Sequence, residues 1–171
     1  MKKIYIVLTY TGTFLSRIVN IYTGKKYSHV SISLDKNLEY MYSFGRLDAY
    51  NPFIGGFVHE STKYGTFKRF KDTITKIYSL EVSEKNYNKI MKTIKKIEID
   101  KDTYKFNLIG LFAVALNLRI RRKKCFYCAE FVKYVLDTSN LNLNLPDIIK
   151  PDDFAKINGA SLIYSGKLME F

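Results

Sequence analysis

One cysteine of the sequence is placed to act as a nucleophile. Cys128 stands just ahead of a segment in which apolar residues recur at the spacing of one helix face: Phe131, Val132, Val135 and Leu136. It therefore falls in the first turn of a predicted helix, where the positive end of the helix dipole favours the reactive thiolate. Five basic residues between Arg119 and Lys124 add to this positive field.

A nucleophilic thiolate also needs a base within hydrogen-bond reach. The chain has two histidines, His29 and His59. His29 opens a segment in which polar and apolar residues alternate, as they do in strands, and it shares a face with Ser31 and Ser33. These small side chains leave room in front of the imidazole. His59 lies in a glycine-rich segment and would be held less firmly, so we pair Cys128 with His29.

Three other interpretations of these residues stay open. A lone cysteine in a helix is more often a core residue, and a lone histidine is more often a hydrogen-bonded polar group. Cys125 and Cys128 form a C-x-x-C pair at a helix start, which is typical of thioredoxin-like redox sites, although such pairs normally follow an early strand. The two cysteines and two histidines would also suffice as zinc ligands, but their spacing resembles no zinc finger or ribbon.

The elements that must position these residues form an α+β pattern. We predict strands over residues 4–8, 29–34, 38–44, 76–82 and 161–164, with 29–44 forming a β-hairpin. We predict helices over residues 13–23, 83–97, 107–117 and 127–138, and a short helical turn at Pro151. Residues 45–66 are predicted to be a long irregular loop, and such loops often border a functional site. The expected fold is one layer of antiparallel strands with helices packed on it, in a single domain over residues 1–171.

Composition limits the partners that the protein can have. Apolar residues make up 47% of the 171, enough for a packed core. The 28 Lys and Arg exceed the 16 Asp and Glu by 12. This surplus favours an anionic partner, such as a cell-wall polymer, an anionic lipid surface or a nucleic acid.

No segment of the sequence predicts a signal peptide or a membrane span. The apolar run after Lys3 is interrupted at Thr9, and no small-residue cleavage site follows it. The longest uncharged stretch, residues 106–118, has 13 residues and is too short to cross a bilayer. Two cysteines do not form a disulfide framework and suit a reducing compartment. We therefore expect a cytoplasmic protein, and we expect a monomer. A cell-wall enzyme of this kind would act on recycled fragments, leave by another route or be released by lysis.

Five segments stand out when they are taken in order. They are Tyr27–Ile32 (YSHVSI), Met41–Arg46 (MYSFGR), Asn51–Val58 (NPFIGGFV), Phe126–Val132 (FYCAEFV) and Pro151–Phe154 (PDDF). Together they resemble the permuted branch of the NlpC-type papain-like cysteine hydrolases, the YaeF/YiiX-like proteins. Papain-like enzymes usually place the cysteine before the histidine, whereas the permuted branch places the histidine first, as here.

The resemblance implies a permuted papain-like fold and a Cys/His pair that acts on an amide or ester, with no metal and no cofactor. If the mechanism of the family is applied to this sequence, Cys128 attacks the carbonyl and forms an acyl-enzyme. His29 takes the thiol proton and returns a proton to the leaving group. The backbone N–H of Cys128 would donate to the oxyanion. Tyr27 is a candidate second donor or substrate contact, and a packed aromatic side chain is the equal alternative.

Strand geometry narrows the polar residue that would orient the imidazole. If the hairpin turns about residue 36, His29 lies opposite Ser43 on the same face. Glu39 would lie near the turn, roughly 13 Å from His29 at the rise of a strand. We therefore expect Ser43 in this role, although the family more often has an acid or a second imidazole there. Glu60 and His59, from the predicted loop, are the alternatives.

Three functions follow as hypotheses. The first is a cysteine amidase or peptidase, with a small cell-wall-type peptide as substrate. The second is a lipid-directed thioesterase or acyltransferase on the same scaffold, which the apolar segment 106–118 beside the basic residues 119–124 favours. The third is a nucleic-acid binder, because residues 63–71 interleave basic and aromatic side chains. A solvated strand or loop is the commoner explanation of that segment, so nucleic acid is the least expected partner.

Overall fold

The computed structural model describes residues 1–48, 50–51, 54–141 and 143–171, but not the side chains of Leu15, Tyr22 and Ala115. Pro52 and Phe53, part of one segment of the resemblance, lie outside the described residues.

The described chain forms an α+β structure around one main sheet, as predicted. The strands are β1 (Lys2–Tyr10), β2 (His29–Ser33), β3 (Met41–Arg46), β4 (Gly55–Glu60), β5 (Ile74–Val82), β6 (Lys105–Phe106), β7 (Cys125–Phe126) and β8 (Ala160–Lys167). The helices are α1 (Phe14–Thr23), α2 (Gly65–Arg69), α3 (Glu84–Ile99), α4 (Leu108–Ala115) and α5 (Cys128–Thr138). Short 3-10 turns cover Lys101–Thr103, Pro151–Lys156 and Leu168–Glu170. The main sheet has the order β4-β3-β2-β1-β5-β8 with antiparallel neighbours, and β6 pairs with β7 in parallel.

Strand β1 is apolar on both sides because both faces of the sheet are covered at its centre. Ile6 and Leu8 are fully buried in the larger core, which also takes in α3 and α5. Val7 is fully buried in a smaller core on the other face, with Ile77 and Phe67. A continuous apolar run is therefore what this position in the sheet requires.

Helix α1 begins and ends at the residues that the sequence indicates, and helix α3 begins at the residue that it indicates. Thr13 caps α1 by accepting a hydrogen bond from Ser16 N–H, and Gly24 ends the helix in the left-handed region at φ 63°. Ser83 caps α3 in the same way, accepting from Asn86 N–H. The predicted caps at Gly24 and Ser83 are thus confirmed.

Helix α5 is held against β2 and β3 by its apolar face. Phe131 and Val132 are fully buried, and the Phe131 ring lies 5.3 Å from that of Phe44 on β3. Truncating a buried phenylalanine to alanine typically costs about 3–5 kcal/mol. This packing fixes the helix and brings its first residue, Cys128, beside the start of β2.

The predicted loop over residues 45–66 is wrong, because it contains β4 and the beginning of α2. Strand β4 pairs with β3 over six residues, including Gly45 with Gly56. Glycine has a low strand propensity, which hides this strand in the sequence. Gly55 is needed for space, since a Cβ there would lie 2.7 Å from the Phe106 ring.

No helix within the described ranges is both long and apolar enough to cross a membrane.

Candidate active site

The structure places Cys128 and His29 in one cavity. His29 is the first residue of β2 and Cys128 the first residue of α5, and both line the same space. Cys128 is 4% exposed, and its thiol is close enough to the imidazole to help raise the pKa of His29. The centre of a water molecule can occupy about 70 Å³ of the cavity. Because a bound water needs roughly 10–15 Å³ by this measure, the cavity has room for a few waters. The cavity therefore admits the reacting end of a substrate rather than a large ligand.

The position of His29 is fixed by backbone pairing on both sides of it. His29 pairs with Thr9 of β1, and Ser28 N–H donates to Thr9 O at 3.1 Å. Tyr27 N–H donates to the Asp152 carboxylate at 3.0 Å, which attaches this segment to the 3-10 turn near the C terminus. The entry into β2 is therefore tied to two separate parts of the chain.

The start of α5 is fixed by a buried polar network. Glu130 accepts a hydrogen bond from Tyr127 N–H at 3.2 Å, which satisfies a free donor at the helix N terminus. The same carboxylate accepts from the fully buried Asn107 amide at 3.1 Å. Asn107 in turn caps α4 by accepting from Gly110 N–H at 3.0 Å. The helix that carries Cys128 is thus joined to α4 through side chains.

The imidazole of His29 has a carboxylate partner, Glu60, at the end of β4. Its Nε2 lies 2.9 Å from Glu60 Oε1 and 3.1 Å from Oε2, and Ser31 Oγ also donates to Oε2. Both side chains are mostly buried, at 20% exposure for His29 and 11% for Glu60. Because Nε2 faces Glu60, Nδ1 is the ring nitrogen left for the thiol of Cys128.

Electrostatics keeps this pair charged. Burial alone would lower the pKa of His29, but the negative charges of Glu60 and Cys128 outweigh it and raise the pKa to about 10. Burial would likewise raise the pKa of Glu60, but the positive charge of His29 and the hydrogen bonds from His29 and Ser31 lower it below its usual range. The imidazolium can stabilise a thiolate, and the carboxylate holds the ring in orientation.

Gly45 leaves the space through which Glu60 reaches His29. A Cβ at this position would lie 3.3 Å from both Glu60 Oε1 and His29 Cε1. The backbone conformation does not require glycine here, since Gly45 is not among the residues with positive φ. The requirement is therefore one of space beside the imidazole.

The expectation that Ser43 lies opposite His29 is wrong. The hairpin pairs Ile32 with Tyr42 and Ser33 with Met41, so its centre is residue 37, one residue later than predicted. A shift of one residue at the turn moves every partner by two. Continuing this register brings Gly45, rather than Ser43, opposite His29.

Ser43 is nevertheless close to the carboxylate. Its Oγ is buried and forms no hydrogen bond of good geometry within the described residues. It is still near enough to Glu60 for its hydroxyl dipole to help lower the pKa of that carboxyl. Ser43 is therefore a neighbour of the pair and not the partner of the imidazole.

The other two candidate residues lie away from the imidazole. His59 binds Glu98 on α3 at 2.7 Å and packs against Tyr42, so it does not orient His29. Tyr27 is 4% exposed in the larger core and is not among the residues that line the cavity. The structure therefore favours the packed aromatic alternative for Tyr27 over a role in contacting substrate.

The four candidate zinc ligands are not brought together. Cys125 lines a different cavity from Cys128, and both thiols are free. Within the part of the chain that the structure describes, no group of three or more Cys, His, Asp or Glu side chains is placed to hold a metal ion. The separate cavities also argue against a C-x-x-C redox pair.

The basic and aromatic segment over residues 63–71 is mainly helical. It contains α2, and Phe67 is 2% exposed in the smaller core. A buried ring cannot stack on a nucleic-acid base, so the segment offers less aromatic surface than its sequence suggests.

Comparison of the chain with protein-family models, with curated proteins and with solved structures finds no match.

Proposed function

We propose that the protein is a cysteine hydrolase of the permuted papain-like type that cleaves an amide bond through an acyl-enzyme on Cys128. The observation that carries the proposal is the connected series Cys128, His29 and Glu60 at one cavity. A thiol, an imidazole and an acid in this order match the roles of nucleophile, base and orienting group.

The first half of the reaction forms the acyl-enzyme. His29 holds the thiol proton, and the sulfur of Cys128 attacks the carbonyl carbon while the C=O electron pair moves onto oxygen. The N–H of Cys128 is available to this oxyanion, because the first N–H groups of a helix have no carbonyl one turn earlier. When the intermediate collapses, the C–N bond breaks and the leaving amine takes the proton from His29.

The second half releases the acid. His29 removes a proton from water, and the hydroxide attacks the thioester carbonyl. The C–S bond then breaks, and the thiolate and imidazolium pair is restored. Glu60 remains ionised throughout, since its role is to orient and stabilise the imidazolium. A small cell-wall-type peptide is the first substrate to test, because the surplus of 12 positive charges favours an anionic polymer.

The test is the reactivity of the two cysteines in the same chain. Iodoacetamide should modify Cys128 roughly tenfold faster than Cys125, because a thiolate beside an imidazolium is the better nucleophile. The variant His29→Ala should lose this difference, while His59→Ala should keep it. An activated acetate ester should leave a transient acetyl group on Cys128 that disappears with turnover. Equal labelling of the two thiols in the unmodified chain would exclude the proposal.

A second candidate function, a lipid-directed thioesterase or acyltransferase, is favoured by the surface around the cavity. Helices α1 and α4 contact each other and supply Ser16, Val19 and Leu111 to the cavity lining. Their outer surfaces, with the residues after α4, expose large apolar side chains: Phe14, Ile21, Ile109, Phe112, Leu116 and Leu118. Arg121, Arg122 and Lys123 follow and are exposed. An apolar patch with a basic border fits an anionic lipid surface.

Binding to vesicles separates the two functions. The double variant Phe14→Ser, Leu116→Ser should bind vesicles of phosphatidylglycerol less than the unmodified protein does. The matched control is Leu162→Ser, Ile163→Ser, which removes two exposed apolar side chains from β8 at the far edge of the sheet. Absence of binding at low salt by the unmodified protein would rule out the lipid-directed function and leave the amidase proposal standing.

A further inference from the structure

Arg46 is a cation in the cavity that the proposed reaction does not use. It is the last residue of β3 and lines the cavity together with Cys128 and His29. Its guanidinium donates to Thr13 Oγ1 at 2.5 Å, and its cationic centre lies 5.9 Å from the Phe70 ring. Within the described residues, the side chain of Arg46 makes this hydrogen bond with Thr13 and this contact with the Phe70 ring, and it forms no ion pair.

The surroundings of Arg46 do not neutralise its charge. The cavity wall also carries an acid, Glu60, whose two oxygens already face His29 and Ser31. Much of the remaining lining is apolar: Val19, Phe44, Phe67, Phe106 and Leu111. Burial and the nearby Arg69 lower the pKa of Arg46, against the opposing effect of Glu60. A half-buried cation without an ion pair has lost hydration that an incoming anion would replace.

We propose that Arg46 binds a carboxylate of the substrate next to the bond that Cys128 attacks. A guanidinium has five N–H donors in a planar fork that matches the two oxygens of a carboxylate, and Thr13 accounts for one of them. The limited space of the cavity, about 70 Å³, suits a group of this size. This specificity rests on the proposed function, because it assigns Arg46 to the same site.

Two alkylating reagents test the proposal without knowledge of the natural substrate. Iodoacetate and iodoacetamide react identically, since the sulfur forms a bond to the CH₂ carbon and iodide leaves with the electron pair. They differ in that one carries a carboxylate and the other a neutral amide. The ratio of their rates at Cys128 therefore reports how strongly the cavity attracts a carboxylate. Changes in the amount of thiolate affect both rates equally and cancel in the ratio.

The expected result is a fall in this ratio of about tenfold in Arg46→Gln, which is the size of effect that a charge-assisted hydrogen bond produces. Arg46→Lys, which keeps the charge without the planar fork, should lie between this variant and the unmodified protein. Arg121→Gln is the matched control, because it removes the same charge from an exposed residue of a different cavity. Its ratio should equal that of the unmodified protein.

A second measurement uses the unmodified protein and so does not depend on how the variants fold. Acetate should slow the labelling of Cys128 by iodoacetamide more than acetamide does at equal ionic strength. An unchanged ratio in Arg46→Gln, or equal protection by acetate and acetamide, overturns the carboxylate site while leaving the hydrolase proposal intact. Slow labelling of Cys128 by both reagents in the unmodified protein overturns both.

Discussion

Glu60 Oε1 lies 2.9 Å from His29 Nε2, although the two residues belong to strands that are not neighbours. Strand β3 lies between β2 and β4 in the sheet, and the contact crosses it beside Gly45. The carboxylate, the imidazole and the glycine therefore depend on one another, and each can be tested by a single substitution.

Replacing Glu60 by Gln should reduce the rate at which iodoacetamide modifies Cys128 by roughly a hundredfold, within the range that positioned acid–base groups contribute. The neutral amide no longer stabilises the imidazolium, so the thiolate beside it is less favoured. The rate constant at neutral pH, followed by peptide mass mapping, is the measurement. Glu98→Gln is the matched control, since Glu98 forms a similar pair with His59 outside the cavity. Equal losses in the two variants would contradict a special role for Glu60.

Substituting Gly45 by Ala should slow the same reaction, because the new methyl group lies 3.3 Å from both members of the pair and must push them apart. Overpacking of this kind typically costs about 1–3 kcal/mol of the free energy of unfolding. Gly56→Ala is the control on the paired strand, where the three atoms nearest to the new Cβ all belong to the flexible side chain of Leu47. We expect Gly56→Ala to retain the reactivity of Cys128. If Gly45→Ala is fully reactive, the space beside the imidazole is not required.

The pair of His29 and Glu60 should stabilise the fold in a defined pH window. The raised pKa of His29 means that its contribution is complete below the usual value of 6.5 and is lost as the pH rises towards about 10. The lowered pKa of Glu60 means that its contribution is complete above the usual value of 4.5 and is lost as the pH falls below it. Both contributions are complete between these two values.

Urea unfolding of the unmodified protein and of Glu60→Gln checks this window. At a pH near 5.5, the free energy of unfolding of the unmodified protein should exceed that of Glu60→Gln by about 2 kcal/mol, as expected for a buried charged hydrogen bond. This difference should shrink at high pH, because the imidazole loses its proton. A difference that is the same at pH values near 5.5 and 9.5 would show that the pair does not titrate as the structure indicates.

Ser31 and Ser43 should differ in their effects, although both serines are buried beside the same carboxylate. Ser31 Oγ donates to Glu60, so Ser31→Ala should remove a charge-assisted hydrogen bond and cost about 1.5–3 kcal/mol of the free energy of unfolding. Ser43→Ala should be nearly neutral, because Ser43 Oγ has no such bond in the described structure. Thermal unfolding of the two variants decides the order, and the reverse order would restore Ser43 as the principal hydroxyl at the site.

The sequence indicates those parts of the structure whose signal is local. The apolar run of β1, the cap at Gly24 and the apolar face of α5 each follow from neighbouring residues. The partner of His29 does not follow from neighbouring residues. Glu60 lies on a strand that begins with two glycines, and this composition is more typical of a loop. The adjacent aromatic and β-branched residues Phe57 and Val58 are the signal that could have identified that strand.

The register of the hairpin depends on where its turn is centred, and the composition of the turn does not indicate this position. Leu38 adopts a φ of 52°, in the left-handed region where leucine is uncommon, and the turn is centred one residue later than its Asp-Lys-Asn sequence suggests. That displacement moves Ser43 away from His29 and brings Gly45 opposite it. The register of this turn thus determines which residue lies opposite the imidazole.

The carboxylate of the site stands on the edge strand of the sheet. Strand β4 ends the order of six strands, and Glu60 is its last residue. Backbone amides at a sheet edge exchange with solvent through small local openings that leave the central strands intact. Such an opening would release Glu60 while β1 and β5 stay paired, so the reactivity of Cys128 should decline on warming before the bulk of the protein unfolds.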